Sequence, residues 1–171
     1  FAHEDFLVPG GRGTRFECIW DQGAQGRPAP ARFGYGAEIL KEHMDAALRA
    51  AGAKQLPPEE LEPQSQMSPG SHGTHVASIA AGKFGVCPKA YLAGVLLALT
   101  EEDCHRRTSF CDSSRLAHAV EYLLGVAERL QCPVSINISL GTNGHAHDGS
   151  SAISRWIDSA LSIPGRSVCV A

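Results

Sequence analysis

The chain has 171 residues, with 15 Lys+Arg against 18 Asp+Glu and a formal charge of −3 at pH 7. That length suits one domain burying roughly 70% of its unfolded surface, and 43% hydrophobic against 19% charged residues excludes a disordered tail. The near-neutral balance without a Lys/Arg run argues against a nucleic-acid binder, and no apolar run approaches the roughly 18 residues a membrane span needs.

Thr14 to Trp20 alternates and is rich in strand formers, which predicts a strand. Asp21 to Gly34 is a Gly/Pro/Gln loop. Ile39, Leu40, His43, Met44, Ala47, Leu48 and Ala51 recur at helical spacing before Gly52, predicting a helix over 37–51. Residues 53–70 hold Pro57, Pro58, Pro63 and Pro69 among Gln and Glu, and read as a surface loop or arm.

From Ser71 the composition turns small and apolar, through His72-Gly-Thr-His-Val-Ala-Ser-Ile-Ala-Ala-Gly82. Val76, Ile79 and Ala80 share one helical face, and Gly82 can end the helix. Ala90 to Leu99 is an apolar run expected to be a strand covered on both faces. Residues 100–112 read as a polar insertion loop. Ser113 or Ser114 can cap a helix carrying Leu116, Val120, Leu123, Leu124, Ala127 and Leu130. Pro133 opens a strand over Val134–Leu140, where a first-residue proline is tolerated. Ser150 or Ser151 caps a last helix with Ile153, Trp156, Ile157, Ala160 and Leu161, stopped by Pro164-Gly165. A final β-branched run, Ser167–Ala171, follows. This alternation predicts an α/β fold on a mainly parallel sheet. The opening Phe1 and the apolar end at Ala171 give the chain the look of a piece, incomplete at both ends.

The six cysteines, 18, 87, 104, 111, 132 and 169, contain no C-x-x-C, so neither a zinc ribbon nor a dense disulfide scaffold is written here. Only Cys104 and Cys111 are close enough to suggest a loop bridge, and buried free thiols are the default for the rest.

The chemistry concentrates at His72. A general-base histidine stands at a rim, between a nucleophile and an orienting carboxylate. The first turn of a small-residue helix supplies that rim, and Gly73 leaves room beside the ring. Ser71–Gly82 resembles the histidine motif of the subtilisin-like serine proteases (subtilases). Gly85-Val-Cys-Pro-Lys-Ala-Tyr-Leu92 is similar to the Gly-Val-Ala-Pro-x-Ala segment of that family, with Cys87 in place of Ala. Ser135-Ile-Asn-Ile-Ser-Leu-Gly141 resembles its strand ending in Asn-x-Ser-Leu-Gly. His147-Asp-Gly149 and Pro164–Ala171 are similar to a bacterial branch, as are His3–Phe6, Trp20-Asp-Gln22 and Phe33-Gly-Tyr-Gly36.

The resemblance implies a three-layer subtilisin-like fold, with residues 1–171 a partial peptidase domain. It also implies peptide-bond hydrolysis by a Ser-His-Asp triad. His72 is then the general base, and Ser139, Leu140 and Gly141 form a wall that pairs with an extended peptide or protein substrate. Leu96–Leu99 is the opposite wall. The family's Asp-x-Gly-x-x-x-x-His spacing would put the acid about five residues before Phe1. The oxyanion Asn would follow Ala171, and the chain contains neither Gly-Thr-Ser nor Gly-x-Ser-x-Gly. The fragment by itself is therefore expected to be inactive. No organic cofactor is implied, and calcium, which the family often uses, has no D-x-[DN]-x-[DN]-G loop here. The sequence sets no compartment: exported bacterial relatives point to secretion, unpatterned cysteines to reduced thiols.

Blander readings stand beside these. His75 is read as a satisfied core or supporting histidine, and His43 as structural. A metal site from His72, His75, His145, His147 and Asp148 lacks the H-E-x-x-H form. Asp5 and Asp21 lack an Asp-[Ser/Thr]-Gly context and are not assigned to the triad. Ser139 reads as substrate-binding rather than nucleophilic. The alternative to an enzyme is a non-catalytic, protease-derived module that grips extended peptide.

Overall fold

The computed structural model describes residues 1–66, 72–98, 113–140 and 148–170. The chain forms two compact units, Phe1–Leu96 and Leu97–Ala171.

In the first unit, a short 3-10 turn at Glu4–Phe6 leads to β1 (Phe16–Asp21), β2 (Ala37–Leu40), α1 (Lys41–Lys54), α2 (Pro58–Leu61), α3 (His72–Ala81) and β3 (Leu92–Leu96). The sheet order is β2-β1-β3, with β2 antiparallel and β3 parallel to β1. β1 is central and almost wholly buried, which accounts for its apolar sequence. A register shift between Phe16 and Cys18 lets Phe16 and Ile19 meet in one cluster with Phe6, Ile39 and Met44.

The helix predicted over 37–51 starts later and ends later. Residues 37–40 are a strand because Ala37 and Ile39 alternate into the core against Asp21 and Ile19. Helix α1 runs through Gly52 to Lys54, and Gln55 ends it with φ 55°. His43 is structural as expected, its Nδ1 accepting the Leu40 N–H at 3.1 Å. The 53–70 arm carries the α2 turn. It is tied down by the Arg27 guanidinium, which donates to both oxygens of Glu62 at 3.1 and 2.6 Å. β3 is half-buried along its length, at the sheet edge rather than covered on both faces.

In the second unit, α4 (Ser113–Leu130), β4 (Val134–Ile138), α5 (Ala152–Ala160) and β5 (Arg166–Val170) follow in turn. β4 and β5 pair in parallel from Val134↔Arg166 to Ile138↔Val170. Val120, Leu124, Ile136, Ile138 and Ile157 form the core, and every apolar residue expected on α5 packs on it or within it. The Ser151 side chain caps α5, accepting the Ser154 N–H at 3.2 Å. α4 also buries Ala119, Tyr122 and Val126, more of its girth than the spacing implied. The strand expected to reach Leu140 stops at Ile138.

The thiols differ from expectation: Cys18 is buried, but Cys87, Cys132 and Cys169 are unbridged and exposed. The suggested bridge between Cys104 and Cys111 and the 100–112 loop lie outside the described residues. No helix among the described residues is long and apolar enough to cross a membrane.

Candidate active site

His72 opens α3, on the exposed first turn as its motif implied. The helix is anchored elsewhere along its length. Ala77 packs against the cluster of Phe6, Phe16, Ile19, Ile39 and Met44, and Ala81 is buried. Ser78 Oγ donates to the Asp5 carboxylate. The covered stripe is thus Ala77 and Ala81, whereas Ile79, expected on the buried face, is 72% exposed. Small side chains let the helix approach the sheet closely, which a larger Ile would prevent. His75 is exposed rather than a core residue.

The polarity of α3 fixes where His72 stands. Arg15, just before β1, donates to the carbonyl of Ala81, the last residue of α3. Its own carbonyl accepts the Leu92 N–H at 3.0 Å, so the starts of β1 and β3 lie together. α3 therefore runs back along the sheet, from the C-terminal ends of β1 and β3 towards their beginnings. Its ten residues span about 15 Å and the six of β1 about 20 Å. His72 belongs to the end of the sheet where β1 and β3 finish, which is the end where open α/β sheets build sites.

Asp21 is the last residue of β1 and stands at that end, registered with Leu96 of β3. The ladder continues one bond further, from the Gln22 N–H to the Leu96 carbonyl at 3.0 Å. Asp21 is fully buried, and its carboxylate accepts from Gly23 N at 3.1 Å, Ser65 N at 2.6 Å and Ser65 Oγ at 2.5 Å. It accepts none from His72 in this structure. Asp5, the other early carboxylate, contacts Ser78 near the far end of α3, about 9 Å along the helix axis from His72.

Two stretches quoted from the sequence, Trp20-Asp-Gln22 and Phe33–Gly36, come together around Asp21. The fully buried Trp20 ring stacks on Phe33 at 4.6 Å between centroids and meets Tyr35 at 5.1 Å, with its Nε1 donating to the Tyr35 carbonyl at 3.1 Å. Gly36 has φ +73°, and a Cβ there would stand 2.6 Å from the Asp21 carbonyl. Only glycine fits at that distance.

In the second unit, Ser139 and Leu140 lie just beyond β4, not within it. Ser139 Oγ accepts from Asn137 Nδ2 at 2.8 Å, and Leu140 packs on that unit's core. Gly141 and Leu99 lie outside the described residues, as do His145 and His147 of the considered metal site. No group of three His, Cys, Asp or Glu side chains among the described residues could hold a metal ion.

Asp21, left outside the triad by the sequence reading, is held by Gly23 and Ser65 rather than by His72.

The family model described as the subtilase family matches residues 18–169. No curated protein matches the chain. Among solved structures, the chain is similar to the Clostridium perfringens CspB protease, with a TM-score of 0.76 and 24% identity. That likeness covers 99% of this chain and 32% of the other, so the chain spans about a third of its length. At such identity the likeness is one of fold: mixed α/β, with parallel strand pairs.

Proposed function

Since the chain belongs to the subtilase family, we propose that it supplies the general base and a substrate wall of a serine endopeptidase acting on extended peptide or protein substrates. His72 is the general base. It takes the proton of a serine hydroxyl as that oxygen attacks the scissile carbonyl, then returns it to the leaving amine. An orienting carboxylate accepts the Nδ1–H of His72 so that Nε2 faces the nucleophile. Ser139, Leu140 and Gly141 line the substrate, pairing backbone to backbone.

The observation supporting this most is the reversed run of α3 along β1, anchored by Arg15 and Ala81. It supports a helix-start histidine at the end of the sheet where β1 and β3 finish. The chain holds no Gly-Thr-Ser, so in this reading the 171 residues alone form no acyl-enzyme. No organic cofactor takes part.

The test is steady-state kinetics of the endopeptidase containing this chain. His72→Ala is expected to lower kcat by about 10⁴, with KM little changed, a magnitude taken from triad enzymes generally. Peptide binding without turnover, unaffected by His72→Ala but weakened by a bulky side chain at position 141, would replace this reading with the binding module.

A further inference from the structure

The described ladder of β4 ends at Ile138, paired with Val170 of β5, and the proposed substrate wall starts one residue later. Along β4 the side chains alternate, Ile136 and Ile138 into the core, Ser135 and Asn137 outward. The alternation outlasts the ladder. Leu140 still packs on the core of Val120, Leu124, Ile136, Ile138 and Ile157, which places Ser139 on the outward face with Asn137.

Past Ile138, two side-chain contacts favour an extended backbone, one on each face. Leu140 anchors the inner face. On the outer face, Asn137 Nδ2 donates to Ser139 Oγ at 2.8 Å. In a strand, residues two apart share a face at about 6.6 Å, near enough for an amide and a hydroxyl to lean together. In a helical turn they diverge, so this bond forms only while the backbone at Ile138 is extended. Asn and Ser otherwise favour turns, because their side chains bond to neighbouring backbone groups. Bonded to each other, the two work against that tendency.

We infer that Asn137 is a positioning residue for substrate: through Ser139 it keeps the wall in the extended conformation that a peptide strand pairs with. This rests on the proposed role of Ser139, Leu140 and Gly141 as that wall. An incoming strand adds to an edge whose backbone is extended, and ordering that edge beforehand spares binding the loss of conformational freedom. The wall grips the substrate in the ground state and the transition state alike, so its order governs KM and not kcat.

The experiment uses the endopeptidase that contains this chain and an internally quenched, unstructured peptide substrate, reading kcat, KM and melting temperature. Asn137→Ala is expected to raise KM about five- to ten-fold, the equivalent of one neutral hydrogen bond, with kcat and melting temperature unchanged. Ser139→Ala should raise KM by a similar factor. The double variant should be no worse than either single one, since all three remove the same contact. Asn137→Asp, which can still bond the Ser139 hydroxyl, should restore KM. An unchanged KM for Asn137→Ala, a lowered melting temperature in its place, or factors that multiply in the double variant would each overturn the role of Asn137. If Gly141→Val raises KM while Asn137→Ala does not, the positioning role is refuted and the wall stands. If Gly141→Val leaves KM intact, the wall reading falls and this inference with it.

Discussion

Arg15 and Ala81 are 66 residues apart, and the guanidinium of the first donates to the carbonyl of the second, joining the start of β1 to the end of α3. The same guanidinium donates to the carbonyls of Asp5 at 2.9 Å, Pro88 at 2.7 Å and Ala90 at 3.3 Å. One planar fork therefore gathers the N-terminal turn, the end of α3 and the approach to β3.

Replacing that fork with an apolar side chain strands several carbonyls at once. Arg15→Met is expected to cost about 2 kcal/mol in urea unfolding, because some of those carbonyls rehydrate. Arg15→Lys should recover only part of this, since a single ammonium cannot fan out to four acceptors. A loss under about 0.5 kcal/mol for Arg15→Met would show that the clamp does not hold α3.

Gly36 gives a second prediction. Its φ of +73° and the 2.6 Å approach of any Cβ to the Asp21 carbonyl penalise every other residue. Gly36→Ala should destabilise by about 2–4 kcal/mol and loosen the Trp20 stack on Phe33. With Trp156 replaced by Phe, Trp20 emission reports the change directly: a red shift is expected, and an unaltered spectrum would refute the contact.

The Arg27–Glu62 pair should respond unequally to its two deletions. The Glu62 side chain is 6% exposed and that of Arg27 38%. The hydrogen bond to Glu62 holds the Arg27 guanidinium above its ordinary pKa, so the pair persists across the working range. Arg27→Met leaves a buried carboxylate without its partner, an expected loss of about 2 kcal/mol after allowing for the half-open site. Glu62→Gln leaves a cation able to hydrate and should cost under about 1 kcal/mol. Thermal melts of the two variants decide it, and the reverse order would contradict the burial.

Asp148 supplies a pH prediction. The Ser150 hydroxyl and then the Ser150 N–H hold its carboxyl below the usual carboxylate range, the latter at 2.9 Å. A depressed folded-state pKa means the turn is stabilised above the unfolded value of 3.8 and released as pH falls through the lower folded one. The Ser150 amide proton in an NMR titration should move only in that acid window, and Asp148→Asn should abolish the movement. A Ser150 amide that first moves near neutral pH would point to another group.

The parts legible in the sequence were those with a local cause. α5 reads correctly from Ser151 to its Pro164-Gly165 stop because one cap and one apolar stripe suffice to define it. Residues 37–40 read wrongly because Ile39 and Leu40 fit the helical period as well as a strand, and the competing partner, Asp21 to Cys18, lies far back in the chain. Leu140 was taken into β4 for the same reason: an apolar residue after a strand continues the pattern whether or not a partner strand does.

His72 is determined by the sequence alone, since a helix start and its small-residue body are consecutive and need no distant partner to be recognised. The surroundings of Asp21 were decided by the tertiary structure. A carboxylate gains its surroundings from whatever the fold brings to it, and here the end of β1, the glycine turn after it and an arm 44 residues on converge. Side-chain chemistry is encoded residue by residue, but the company a buried charge keeps depends on how the chain closes its loops.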